Sequence, residues 1–384
     1  MRSFAVCAAL VAASVFSTQS LGAQDSQFPT AFFSEDTVLA AFVNLREITG
    51  PALTDSINAI IDIPALQRGL SQEAAEELAQ RHRQAITMAQ AMSVVPQALA
   101  IQGVPYVTAI AMTSPPESGQ GIRVFALAPV PPGIDAAWVQ QTLVQLIPRM
   151  PQTRVVEQIA DDDRIDQWIV ACRSGMAMPP DIGWSPSRQE RFHAAAVAIG
   201  TDQALFWAFV PNVQTRDTVM AMINAFSQGE ELSNSDIAMR VEARTVAEVL
   251  TQLRWIGGSV RLGGNLLISV RAELSDPAHV GQLQSSWSVA TGLLQQRASS
   301  ADARRSSQDL PALTHSNTQV VNALISALQP QFSETGFRID LTAQELRQLI
   351  TMVVTLVSES MAEVASALMA GPMAILGGEQ QPSP

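Results

Sequence analysis

The residues with the widest chemical range are four histidines: His82, His193, His279 and His315. Zinc sites place His and Cys at short fixed spacings. These four are scattered along the chain, so they read as surface or helix-end residues. Asp161-Asp162-Asp163 with Asp166 is the most concentrated acidic group. A calcium loop starting at Asp161 would need Gly at its sixth position and Glu at its twelfth. Asp166 and Cys172 stand there, so the group reads as a solvated turn. Gly257-Gly258-Ser259-Val260-Arg261 approaches the Gly-x-Ser-x-Gly elbow, but Arg261 replaces the last glycine and the segment lies between strands. Gly119-Gln120-Gly121 lacks the third glycine of a dinucleotide loop and precedes a strand, so it reads as a hairpin loop.

Two groups remain as ligand-contact candidates. Trp184, between Gly183 and Ser185, is the tryptophan that falls in a loop. Met352, Met361 and Met369, with Met373, lie along the last helix. Methionine is soft and adaptable, and a row of it suits an apolar ligand or a variable partner as well as a core. No cofactor or metal site emerges from any spacing.

Composition removes other chemistries. All 23 basic residues are arginine. Without lysine there is no Schiff base, no P-loop lysine and no Ser-x-x-Lys dyad. The net charge of −12 disfavours nucleic acid, whose phosphates require a basic surface, and anionic membrane surfaces likewise. Nearly half the residues are apolar (47%), which is a globular composition.

The N-terminus reads as an export signal. Arg2 gives a positive start, Phe4 to Phe16 an apolar stretch, and Gly22-Ala23 the small residues before a cut after Ala23. The apolar stretch is shorter than the roughly 20 residues that span a bilayer. Loss of the signal removes Cys7 and leaves Cys172 alone, so no intramolecular disulfide forms. Cys172 sits in a strand-like run and reads as a small buried hydrophobe. The expected location is periplasmic or extracellular.

The elements that position these residues recur as two strands followed by a helix. Asp36 to Ile48 reads as a first strand. A short helix covers Leu53 to Ile63. A longer one runs from Ser71 to Val95, with Ala74, Leu78, Ala85, Met88 and Met92 as its buried stripe and Pro96 as its end. Hairpins are expected at Val104–Met112 with Ile122–Val130, at Thr153–Ile159 with Arg164–Cys172, at Ala194–Ile199 with Ala204–Val210, and at Trp255–Leu262 with Leu266–Leu274. Helices follow from Asp135 to Ile147, from Arg216 to Phe226, and from Asp276-Pro277 to Gln296. Ala298 to Asp309 reads as a flexible loop. Gly336 to Leu341 is a strand, and Thr342-Ala343-Gln344-Glu345 a capping box that opens a helix reaching Leu368. Glu359, Glu363 and Gly371-Pro372 argue that this apolar helix is core rather than a membrane span.

The implied fold class is α+β: antiparallel sheets built from repeated hairpin-then-helix units, with helices layered on one face and the whole duplicated. The expected organisation is a signal at 1–23, α+β domains at 24–230 and 231–376, and a disordered tail at 377–384. From Arg261 to Ile350, the strand, the Asp-Pro helix and the late strand with its capping box resemble the uncharacterised exported proteins of planctomycete-type bacteria. That resemblance implies no activity and no site residues. The leading expectation is an exported, non-catalytic protein acting by protein binding or assembly in the cell envelope. A carrier of an apolar small molecule and a hydrolase with a noncanonical site stand as alternatives.

Overall fold

The computed structural model describes residues 33–67, 72–114, 122–157, 167–174, 185–200, 203–218, 221, 251–307 and 315–357. Their core is one antiparallel sheet of ten strands. The first five are β1 (Thr37–Asn44), β2 (Tyr106–Thr113), β3 (Ile122–Val130), β4 (Gln152–Glu157) and β5 (Gln167–Cys172). The second five are β6 (Leu205–Phe209), β7 (Leu253–Arg261), β8 (Leu267–Leu274), β9 (Gln331–Phe332) and β10 (Gly336–Thr342). The α+β class with an antiparallel sheet is therefore as expected. The spatial order is β4-β5-β3-β2-β1-β6-β7-β8-β10-β9.

That order contains a repeat. Counted outward from the centre, β1-β2-β3-β5-β4 and β6-β7-β8-β10-β9 have the same topology. They meet along β1 and β6, which pair antiparallel from Leu39↔Phe209 to Val43↔Leu205. The repeat thus divides the chain just before β6. The expected boundary at residue 230 falls in the connection between β6 and β7 and lies outside the described residues. The two halves share one sheet, because the β1–β6 pairing continues into β6–β7 over Leu205↔Val260 to Phe209↔Ile256.

The helices follow the same repeat. Between β1 and β2 lie α1 (Gly50–Ile60), α2 (Ile63–Gln67) and α3 (Gln72–Ile101). After β3 comes α4 (Ala136–Leu146), and after β5 comes α5 (Pro186–Ile199). After β8 come α6 (Ala278–Ser307) and α7 (Asn317–Ala327). After β10 comes α8, residues 343–357. One sheet face carries Ala126, Ala128 and Ile169 under Val139 and Leu143 of α4 and Leu99 of α3. Further along it, α6 adds Val280 and Leu283, and α8 adds Ala343 and Leu346. The opposite face packs Phe125, Leu127, Val170 and Phe206 with Phe192, Ala195 and Ile199 of α5. Phe125, Phe192, Phe206, Leu127 and Ile169 are at most 2% exposed. Each such side chain contributes about 1.5–3 kcal/mol by leaving water.

Several sequence expectations need correction. Ala194 to Ile199 is not a strand but the last part of α5. The Ser185 hydroxyl caps that helix at the Arg188 amide, Pro186 fits its first turn, and Phe192, Ala195, Ala196 and Ile199 recur at helical spacing. Gly200, at φ 91°, ends it. The stripe assigned to α3 is rotated: its buried residues are Ala89, Ser93, Pro96 and Leu99. Met88 is 65% exposed and Met92 41%. The helix turns Ile86 and Ala89 toward Leu53 and Ile57 of α1 instead. Pro96 does not stop it. The end comes at Gly103, φ 95°, where the amides of Gly103 and Val104 donate to the Ala100 and Leu99 carbonyls in a Schellman motif.

At the other end of the chain, Ala298 to Ser307 is helix rather than loop. Asp302 explains it, since its carboxylate receives Asn317 and Thr318 at the start of α7, an element absent from the sequence reading. The capping box at Thr342 is formed, with the Thr342 amide donating to Glu345 Oε2 at 2.8 Å and the Glu345 amide donating to Thr342 Oγ1 at 3.3 Å. The Asp161–Asp163 turn, Glu359, Glu363 and most of the helix expected after Arg216 lie outside the described residues. Among the described residues no helix is long and apolar enough to cross a membrane.

Candidate functional site

An antiparallel ladder brings alternate strand ends together. The start of β1, the end of β2 and the end of β6 therefore meet at one edge of the sheet, with the N-terminus of α5 packed over them. The loops that leave these strands are polar and bind one another. The Thr113 amide donates to the Asp36 carbonyl at 2.8 Å. Asn212 Nδ2 donates to Thr113 Oγ1 at 2.8 Å, and Gln214 Nε2 donates to the Ser114 carbonyl at 3.0 Å. Asn212 Oδ1 also caps its own turn, accepting from the Thr215 amide at 2.8 Å.

Arg188 is the centre of this junction. Its side chain is 4% exposed, which is unusual for a charge. Its Nε donates to the Glu35 carbonyl at 3.1 Å, and one Nη donates to the Val210 and Pro211 carbonyls at 3.0 and 3.4 Å. The Glu35 carboxylate stands 3.8 Å from Nε and is held in turn by the Ser185 hydroxyl. Burial pushes the Arg188 pKa down. Glu35 opposes that, Arg191 and Arg216 add to it, and Asp36 opposes it. Arg216 donates to the Leu253 carbonyl at 3.0 Å, while its Nε is buried with no partner. Burial and then Arg191 lower its pKa too. Ser114, 2% exposed, has a hydroxyl with no partner. Arg188 lies in the first turn of α5, where the helix end itself is positive, and the like charges of Arg191 and Arg216 add to that cost. Guanidinium stays protonated at neutral pH, so the arrangement suits holding an anion rather than moving a proton.

Compared with known family models, curated proteins and solved structures, the chain finds no match.

The residues singled out in the sequence do not converge on this junction. Met352 is buried in α8, 9% exposed. Met361, Met369, Met373 and Trp184 lie outside the described residues, although Ser185, next to Trp184, caps α5. His82 lies on α3, His193 on α5, His279 at the start of α6 and His315 just before α7. His279 Nδ1 is 3.9 Å from the Asp276 carboxylate one turn away. Among the described residues no three His, Cys, Asp or Glu side chains are grouped to hold a metal ion. Cys172 is fully buried, its Sγ lies 3.6 Å from Gln152 Oε1, and burial pushes the thiol pKa up. Arg188 was missed. Its signal was an arginine in the first turn of a Ser-Pro-capped helix, where the helix dipole disfavours a cation.

A second surface stands out by exposure. Residues 84–101 of α3 contain no charged side chain. One side of this stretch shows Met88 and Met92 with the exposed Ala85 and Ala91, while Val94 (61% exposed) and Ile101 (81% exposed) lie further round the helix. An uncharged, apolar patch exposed on a folded surface marks an interaction site.

Proposed function

We propose that this is an exported, non-catalytic protein that acts by assembly in the cell envelope, docking a second copy of itself through the outward side of α3. The observation that carries the reading is the uncharged stretch 84–101, with Met88 65% and Met92 41% exposed on one side of it. Two copies of net charge −12 repel each other over most approaches. A helix side without charges is where that repulsion is least. It also carries its own complement. In an antiparallel pair centred between residues 88 and 89, Met92 of each helix faces Ala85 of the other, and Met88 faces residue 89, an alanine. Large side chains then sit over small ones, as close helix packing requires. The signal-like N-terminus supports export.

The test is the mass of residues 24–384 by native mass spectrometry and light scattering, with and without Met88→Glu and Met92→Glu. A two-chain mass that falls to one chain in the variants, with unchanged circular dichroism, supports the proposal. A wild-type monomer at tens of micromolar, or a dimer unmoved by the charges, removes it. A different protein bound in place of the second copy shifts the reading to hetero-association.

A further inference from the structure

We infer that Met88 and Met92 make the α3 surface redox-sensitive, a reading that rests on the docking proposed above: a peroxide converts both thioethers to sulfoxides, and the oxidised chain no longer pairs with a second copy. Methionines differ in their access to an oxidant. The described residues contain five. Met112, Met150 and Met352 are at most 9% exposed, whereas Met88 is 65% exposed and Met92 41%. The two exposed methionines lie one helical turn apart, so they share one side of α3. The oxidisable sulfur that water reaches is thus gathered on the surface that docks.

The chemistry is transfer of one oxygen atom to each sulfur. The sulfur lone pair attacks a peroxide oxygen, an S–O bond forms and the O–O bond breaks. Sulfur is oxidised to the sulfoxide, and hydrogen peroxide is reduced to water. The product is polar where the surface is not. In the antiparallel pair Met92 meets Ala85 and Met88 meets residue 89, and neither alanine side chain carries a hydrogen-bond donor. Thr87, Gln90 and Ser93, which flank the methionines in sequence, are already engaged. Thr87 Oγ1 donates to the Arg83 carbonyl at 3.0 Å, Gln90 Nε2 to Thr54 Oγ1 at 3.4 Å, and Ser93 Oγ to the Gln90 carbonyl at 2.7 Å. Each buried acceptor left without a donor weakens association by about tenfold. Two sulfoxides per chain place four in the interface, so affinity should fall by about a hundredfold or more. Pairing also covers both sulfur atoms. Peroxide therefore acts on the free chain and holds it free, and enzymatic reduction of the sulfoxides returns the surface to its apolar state.

Peroxide treatment of residues 24–384, read by peptide mass mapping and by native mass spectrometry before and after, tests this. Met88 and Met92 should each gain one oxygen atom ahead of Met112, Met150 and Met352, and more slowly at protein concentrations where the two-chain mass dominates. The two-chain mass should then give way to one chain, with circular dichroism unchanged. Methionine sulfoxide reductases for both sulfoxide epimers should restore it. A protein that is monomeric before peroxide removes the docking reading, and this inference with it. A dimer that survives with both residues oxidised, or oxidation of Met88 and Met92 no faster than that of the three buried methionines, overturns the redox sensitivity alone and leaves the docking standing. A two-chain mass that stays lost after both sulfoxides are reduced also overturns it, because the loss then comes from damage elsewhere.

Discussion

Replacing Asp302 by alanine should loosen α7 without unfolding the sheet, and the effect should fade in acid. Asp302 lies on α6, yet it caps the neighbouring helix. Its two oxygens accept from the Asn317 amide at 3.0 Å, Asn317 Nδ2 at 2.9 Å, the Thr318 amide at 3.0 Å and Thr318 Oγ1 at 2.7 Å. Burial pushes the carboxyl pKa up, but these four bonds outweigh it and hold it at about 2. A shift of nearly two units corresponds to about 2.5 kcal/mol. The side chain is half-buried, so solvent screening reduces the usable part to about 1 kcal/mol. Loss of a helix cap independently costs about 1 kcal/mol. Because the folded pKa is depressed, the stabilisation is complete above the ordinary carboxylate pKa and is lost as pH falls from about 4 to 2. Hydrogen exchange of peptides covering residues 317–327 should run about fivefold faster in Asp302→Ala at pH 7. Denaturant unfolding at pH 6 and pH 3 should show the wild-type advantage about halved at the lower pH. Equal exchange in both proteins, or an advantage unchanged between the two pH values, would refute the reasoning.

Three further outcomes follow from packing. Gly336→Ala would put a Cβ 1.9 Å from the Ala272 carbonyl oxygen, so β10 must leave β8 and the melting temperature should fall steeply, whereas Gly264→Ala, with nothing within 4 Å, should leave it unchanged. Arg188→Met should cost about 2–3 kcal/mol in denaturant unfolding because carbonyls at Glu35, Val210 and Pro211 lose their donor, while Glu35→Gln should cost under about 0.5 kcal/mol, since that carboxylate returns to water. Cys172 should stay unmodified by a thiol reagent in the native protein at pH 8 and react fully in guanidinium, because it is buried with its thiol pKa raised; native labelling at the denatured rate would contradict its placement.

How legible the fold was depended on whether a signal was local. Asp135, Gly263 and the Thr342–Glu345 box act within a few residues, and the elements they delimit formed where expected. The Ala194–Ile199 run failed because alanine and valine alternate there much as in a strand, and only the cap at Ser185 decides between the two periods. The α3 stripe failed for a different reason. Its apolar residues cover more than one side, and periodicity does not say which side α1 will choose. The loop expected at Ala298–Asp309 is polar all round, which in a chain fragment means disorder; α7 and the Asp302 cap make it helix. The junction was the least legible part. Arg188, Arg191 and Arg216 lie on two segments separated by β6, and only the ladder of β1 with β2 and β6 brings their surroundings together.

The pairing of β1 with β6 also sets an order of events. Leu39 waits for Phe209, 170 residues later. At roughly 5–20 residues per second, β1 keeps one bare edge for on the order of ten to thirty seconds of synthesis. That edge, Leu39-Ala40-Ala41-Phe42-Val43, is apolar and destined for the middle of the sheet. Nothing blunts it in the way that charges or prolines protect permanent edges. A chain that stops before residue 205 has a finished five-strand unit with an open flank, and another such chain offers the same flank. Incomplete molecules are therefore each other's nearest available cap. The shared topology that makes the two halves fit within one chain is also what exposes truncated products to pairing between chains.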